Sequence, residues 1–230
     1  MNLTVDVISD VICPWGYIGK RRLEKAIATR RGQHDVRVRW HPFQLYPDMP
    51  KEGMNRKEYR TGKFGTWERS LALDAQVVTA GAEEGIAFNF DQMTHTPNTL
   101  DAHRLIWLAD RLGVQDAVVE AVFRAYFTEG QDISKPQSLL DVTARAGLDR
   151  GRAEGVLTSD DGLVAMRAAE EQARSGGVQG VPFFVVNKIV ALSGAVGSSA
   201  FLNAFDQAEA ESVVSEGSVC NIGAGEERSC

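Results

Sequence analysis

Cys13-Pro14-Trp15-Gly16 is the stretch whose reading decides how this chain folds. Just before it, Leu3, Val5, Val7 and Ile8 read as a short buried strand. Pro14 suits the first turn of a helix, where its missing N–H costs nothing. A cysteine between a strand and a helix start feels the positive end of the helix dipole. Its thiol is therefore expected to ionise more readily than a free one and to act as a nucleophile. A dithiol redox site would carry a second cysteine at position 16, where this chain has Gly16.

Working outward, the first strand covers roughly Leu3 to Ser9. The first helix runs from about Pro14 to Arg30, with Ile18, Leu23, Ala26 and Ile27 as its apolar stripe and Gly32 as its stop. Val36, Val38, Trp40 and Phe43 alternate as a second strand, giving a βαβ pattern. From about Asn55 to Ser175 the periodicity is almost entirely helical. Val118, Val122 and Tyr126 mark one helix; Leu139, Leu140, Val142 and Ala146 mark another, opened by Pro136 and stopped by Gly147. Asn98 reads as the N-cap of a helix whose first turn holds Asp101, and a last long helix covers about Asp160 to Arg174. Strand character returns at Phe183 to Val186 and Ile189 to Leu192, joined by a turn at Asn187-Lys188, before a final helix from about Ser198 to Glu211. The remaining tail, rich in Ser, Gly and Glu, reads as flexible and holds Cys220 and Cys230.

The order is thus βαβ, a helical block, then ββα. It predicts an α/β chain: a thioredoxin fold interrupted by an inserted all-helical domain. The thioredoxin-like domain is discontinuous, at 1–50 and 176–212. The helical insert is 55–175, and 213–230 is a C-terminal tail with two cysteines.

Composition sets bounds on this reading. The chain has 230 residues, 43% hydrophobic and 24% charged, with a formal net charge of -6. These values fit a globular protein with a real core and argue against nucleic acid or an anionic membrane as partner. Asp6 and Asp10 sit where a secretory signal would be basic or apolar, and the longest apolar run, Val181 to Val186, is too short to span a bilayer. A cytoplasmic protein is expected. Three cysteines are too few for a disulfide framework, and with the four histidines they show no metal-ligand spacing, so no metal is expected.

Three segments carry a resemblance. Val11-Ile12-Cys13-Pro14-Trp15-Gly16-Tyr17-Ile18-Gly19 resembles the active-site segment of the DsbA-like thioredoxin superfamily, in its FrnE-like branch. That branch is similar in turn to 2-hydroxychromene-2-carboxylate isomerases and kappa-class glutathione transferases. Thr96-Pro97-Asn98-Thr99-Leu100-Asp101-Ala102-His103-Arg104-Leu105 resembles the inserted-domain signature. Gly177-Val178-Gln179-Gly180-Val181-Pro182-Phe183-Phe184-Val185 resembles the proline loop. The likeness spans about residues 1 to 210.

The resemblance implies catalysis by Cys13, within the segment Pro14, Trp15 and Gly16. It implies a cis bond between Val181 and Pro182 facing the sulfur, with the Val181 backbone free to pair with a thiol-bearing ligand. Asn98 is implied beside the sulfur as a ligand contact, although a helix N-cap explains the same residue. Trp15 and Tyr17 flank the sulfur and read as lining the cleft, or Trp15 as only an exposed ring over the helix start. His103 reads as a structural histidine or a catalyst, and Arg104 as a carboxylate partner or a surface ion pair.

The departure from the family is Gly16, where C-P-W-C is expected. In dithiol chemistry the second sulfur releases product from a mixed disulfide. With glycine there, the expected activity is that of a DsbA-type thiol–disulfide oxidoreductase with a single active-site thiol, working through a mixed disulfide at Cys13. The alternative is a glutathione-dependent isomerase or transferase of the hydroxychromene-carboxylate isomerase or kappa type. No cofactor is expected to be bound permanently. Glutathione or another low-molecular-weight thiol is the expected co-substrate, and a small thiol or a disulfide-bearing protein the expected partner; the sequence sets no oligomeric state. Cys220 and Cys230 are a possible redox pair, with a structural staple or two idle thiols as the other readings.

Overall fold

A computed structural model describes residues 2–32 and 35–219. The chain opens with β1 (Asn2–Ser9), α1 (Pro14–Thr29) and β2 (Asp35–Pro42). Then come β3 (Met54–Asn55), α2 (Arg56–Phe64), α3 (Trp67–Glu83) and β4 (His95–Thr96). Five helices follow: α4 (Leu100–Arg111), α5 (Gln115–Phe127), α6 (Pro136–Arg145), α7 (Arg150–Leu157) and α8 (Leu163–Ser175). The chain closes with β5 (Phe183–Val186), β6 (Val190–Ser193) and α9 (Ser198–Val219).

The two halves meet in a single four-stranded sheet of order β2-β1-β5-β6. β1 pairs parallel to β2, with Val5 opposite Val38, and antiparallel to β5, with Val7 opposite Phe184. The expected joining of strands on either side of the helical block is therefore realised, and the fold is a thioredoxin-type α/β fold with a helical insertion. The final helix runs on to Val219 rather than stopping at Glu211. Cys220 and Cys230 lie outside the described residues.

Alternation in β1 sends Leu3, Val5 and Val7 into one core, where Ile18 and Leu23 of α1 and Phe201 and Phe205 of α9 are fully buried with them. A smaller cluster of Ile8, Phe43 and Val178 lies under the proline loop. Asn187 and Lys188 both have positive φ, 48° and 62°, as the two central positions of a type I′ hairpin turn require. Asn187 also locks this hairpin to the sheet: its N–H donates to Thr4 O at 2.8 Å and its Oδ1 accepts the Thr4 N–H at 2.8 Å.

The insert is fixed to the sheet by polar contacts as well as apolar ones. β2 is a sheet edge, and the Gln115 amide at the start of α5 pairs with both backbone groups of Trp40, at 2.9 and 3.0 Å. Lys20 of α1, its side chain only 2% exposed, is ringed by Glu24, Asp116 and Glu120. Tyr17 stacks on Phe123 with ring centroids 5.1 Å apart, and its hydroxyl donates to Glu120 at 2.9 Å. Tyr17 is thus a core residue between α1 and α5, not a wall of the cleft as expected.

Candidate active site

Asp10 builds the turn that presents Cys13. It follows β1 and is fully buried. Its carbonyl accepts the Cys13 N–H at 2.9 Å. Its carboxylate accepts the Leu45 N–H at 2.7 Å and the Ile12 N–H at 3.4 Å, and His103 Nε2 of α4 stands 3.3 Å from Oδ1. Two backbone donors and an imidazole thus compensate a carboxylate that burial would otherwise make costly. Asp10 is a site residue the sequence reading missed; its position three residues before the cysteine was the available signal.

Cys13 is the N-cap of α1, with Pro14 in the first turn, and is 4% exposed. Its thiol donates to the Val181 carbonyl at 3.4 Å, across the Val181–Pro182 bond that is cis in this structure. The proline loop and the helix start are therefore brought together, and the Val181 carbonyl is already in use. In this resting arrangement the thiol favours its protonated form. Burial pushes it up to about 12, with the Asp10 charge adding to the rise, against the N–H groups of Gly16 and Trp15 and the charge of Lys63, which pull it down. The expectation of a lowered pKa is overturned because desolvation of the thiolate outweighs the helix start.

Position 16 is not an empty place awaiting a sulfur. A Cβ built on Gly16 would fall within 3.0 Å of Ser9 Oγ and 3.3 Å from Phe123 Cζ. Ser9, buried at the end of β1, occupies that space. The chain has closed around the missing side chain.

Cys13 opens into a cavity of about 260 Å³ between the helix start and the insert. Ile12, Pro14, Trp15 and Leu45 line one side; α2, α3, Phe90, Thr96 and Tyr126 supply the other. Trp15, 38% exposed, stands at its edge as expected. The short β3–β4 ribbon, too brief to read from the sequence, starts α2 here: the Arg56 N–H donates to Thr94 O at 2.9 Å. Arg56, Arg60 and Lys63 then follow at one-turn spacing along α2 and all reach the cavity. That spacing was a legible signal that went unread.

Asn98 does not reach the sulfur's cavity. Its Nδ2 donates to Met49 O at 2.6 Å and its Oδ1 accepts the Leu100 N–H at 2.9 Å, so both ends of the amide are spent on structure. The N-cap position of α4 is Thr99, and Asn98 caps from one residue earlier. Arg104 does partner a carboxylate, that of Asp101, but as a buried structural group rather than a surface ion pair. It is buried, binding Asp101 at 2.8 Å, Asp161 O at 2.8 Å, and the carbonyls of Val156 and Ser159. Among the described residues no three His, Cys, Asp or Glu side chains gather as a metal site needs, and no helix is long and apolar enough to cross a membrane.

Residues 4–206 match the DSBA-like thioredoxin domain family. The uncharacterized protein YwbO of Bacillus subtilis (strain 168) is 27% identical over 205 residues, spanning 87% of this chain and 94% of that protein. A probable DsbA oxidoreductase from Streptomyces coelicolor superposes with a TM-score of 0.83 at 32% identity, covering 91% of each chain. Two more distant structures share the fold. One is a 2-hydroxychromene-2-carboxylate isomerase, with TM-score 0.67, 19% identity, and 94% of this chain and 98% of that one covered. The other is the cytosolic disulfide reductase DsbM from Pseudomonas aeruginosa, solved with GSH, with TM-score 0.59, 20% identity, and 92% and 98% covered.

Proposed function

The chain belongs to the DSBA-like thioredoxin domain family, and on that premise we propose that it is a monothiol oxidoreductase. It exchanges a single sulfur, Cys13, with a small thiol or disulfide through a mixed disulfide. The observation that carries this is the pairing of a buried Cys13 on the Val181 carbonyl with a position 16 already filled by Ser9 Oγ. No resolving thiol fits beside it without rearrangement.

The sequence of steps is short. Cys13 loses its proton and its sulfur attacks one sulfur of a disulfide R–S–S–R. The Cys13 S–S–R bond forms as the S–S bond breaks, and the leaving RS⁻ takes up a proton. Cys13 is oxidised and one R–S group is reduced. A small thiol R′SH then attacks the R sulfur of the mixed disulfide, forming R–S–S–R′ as the bond to Cys13 breaks, and Cys13 leaves as the thiol, taking up the proton the attacking thiol gives up. The Val181 carbonyl orients the resting thiol. The N–H groups of Gly16 and Trp15, with the charge of Lys63, pull the thiol toward its ionised form against its burial.

A cavity of about 260 Å³ suits a small molecule better than a folded protein segment. The GSH held by DsbM supports glutathione, or another low-molecular-weight thiol, as co-substrate. The site's small-molecule scale and the isomerase-like fold also favour a second reading, a glutathione-dependent isomerase or transferase. Cytoplasmic work alongside a reduced thiol pool fits both.

The test is mass spectrometry of the protein after incubation with glutathione disulfide. One glutathionyl group on the Cys13 peptide, removed by excess glutathione and absent in Cys13→Ser, is expected. An unmodified Cys13 would overturn the oxidoreductase reading. Retained activity in Cys13→Ser on a glutathione-dependent isomerisation would favour the second.

A further inference from the structure

We infer that the wall of the cavity facing Cys13 is a recognition site for an anionic group, such as a carboxylate, on the small thiol or disulfide that reacts there. This rests on the monothiol reading and names the class of its substrate.

The charge balance of the cavity carries the inference. Arg56, Arg60 and Lys63 all line it, and Asp74 is the only carboxylate among its lining residues. That carboxylate is shared. Arg56 donates to Asp74 Oδ2 and Arg60 to Asp74 Oδ1, each at 2.6 Å. Two guanidiniums on one carboxylate, with an ammonium beside them, leave the wall with an excess of positive charge. Leaving that excess beside a half-closed, aromatic-lined space is unfavourable unless an anion completes it.

The cationic heads are also held in place. Arg56 is buried, with its guanidinium carbon 5.2 Å from the Phe90 ring centre and 5.8 Å from that of Trp67. Arg60 donates to the Ser70 hydroxyl and to the Ser70 carbonyl. Asp74 is fixed between them. Preset donors lose little freedom when a ligand arrives, and a planar guanidinium matches a carboxylate in two-point geometry. Lys63 acts toward both ends of such a ligand. It lines the cavity and lies within electrostatic reach of the Cys13 sulfur, where it favours the thiolate. An anionic tail on the cationic wall would therefore place the ligand's sulfur toward Cys13.

The experiment compares three symmetric disulfides of matched length: 3,3′-dithiodipropionate, 2-hydroxyethyl disulfide and cystamine, which are anionic, neutral and cationic. The rate of mixed-disulfide formation at Cys13 is read by mass spectrometry on the full chain at low ionic strength. The anionic disulfide is expected to lead the neutral one by at least about tenfold, the scale of one charge-assisted hydrogen bond, with the cationic one slowest. In Arg60→Gln and in Lys63→Gln the anionic-to-neutral rate ratio should fall several-fold. The ratio is the readout because loss of Lys63 also slows every reaction of the sulfur. Circular dichroism melts establish that each variant is folded; Lys63, being exposed, is the variant least able to disturb the fold.

Equal rates for all three disulfides, each taken relative to its rate with a free small thiol under the same conditions, would overturn the anion site and leave the monothiol reading standing. A ratio unchanged in both folded variants would overturn it too. A Cys13 that reacts with none of the three would overturn the monothiol reading, and this inference with it.

Discussion

Restoring the second sulfur by Gly16→Cys should fail in a specific way. A Cβ at this position lies within 3.0 Å of Ser9 Oγ and 3.3 Å from Phe123 Cζ, and both neighbours are buried. Phe123 belongs to a stack with Tyr17 and Phe127 and has little room to retreat. Ser9 Oγ is held only by a long contact of 3.5 Å to Asp10 O. The serine must therefore give way, at an overpacking cost of about 1–3 kcal/mol. For a chain of this length that lowers Tm by roughly 2–12 °C. Ser9→Ala alone removes one small polar atom and should cost about 1 kcal/mol or less. Combined with Gly16→Cys it should recover most of the lost stability, because the hydroxyl that the new Cβ meets is gone. The assay is denaturant unfolding of the four proteins under reducing conditions, followed by turnover of a protein disulfide. Wild type should accumulate mixed disulfide. The double variant should turn over fastest, since a neighbouring thiol acts at an effective concentration no solution thiol matches. A Gly16→Cys protein as stable as wild type, with nothing gained from Ser9→Ala, would refute the argument that Ser9 closes the site.

Three further outcomes follow. Because Cys13 sits at about 12, its alkylation by iodoacetamide should climb with pH through 7 to 10 without a plateau; a plateau below pH 8 would show an activated thiolate instead. The same rise makes a stability statement. The folded thiol keeps its proton to higher pH than the unfolded one, so its contribution is complete below about 9.0 and is lost as pH climbs toward about 12; wild type should lose stability over that window faster than Cys13→Ser in matched pH-dependent melts. Arg104→Lys should cost about 2–4 kcal/mol in urea unfolding, because lysine cannot serve the carboxylate and three carbonyls that the guanidinium joins. A cost below about 1 kcal/mol would show that water replaces those bonds.

The strands and most helices were legible because their periodicity is clean. Leu3, Val5 and Val7 alternate, Pro136 opens α6, and Gly147, with φ of 93°, takes the left-handed conformation just beyond its end. What escaped the sequence depended on distance in space. The β3–β4 ribbon is two residues on each side and has no period to detect. Asn98 carried a motif, but its amide went to Met49 and Leu100, and a motif does not say which neighbour claims a side chain first. Tyr17 is expected at the cleft because, like Trp15, it flanks the sulfur in the sequence. On a helix, residues two apart do not share a face, and Tyr17 turned to the insert.

The thiol is where local and tertiary physics disagree most plainly. A helix start stabilises a nearby negative charge by about 0.3–1 kcal/mol, and by about 2 kcal/mol in favourable buried geometries. Raising a thiol to about 12 represents roughly 4 kcal/mol against the charge. The second effect wins because Cys13 is buried away from water, with the charge of Asp10 adding to the rise. Asp10 is buried and held by backbone N–H groups, so its charge stays when a ligand binds, whereas the Val181 carbonyl contact can be displaced. A ligand that displaces the carbonyl contact would change the surroundings of the sulfur, while its anion on the α2 cations would offset part of the pull that Lys63 exerts toward the thiolate. Ionisation and binding are then one coupled event. The exposed Trp15 ring and the cationic α2 side chains are the groups a ligand meets on the way to that sulfur. In a site with one buried sulfur, that coupling replaces the permanently low pKa of an activated thiol: the sulfur keeps its proton until a partner is bound.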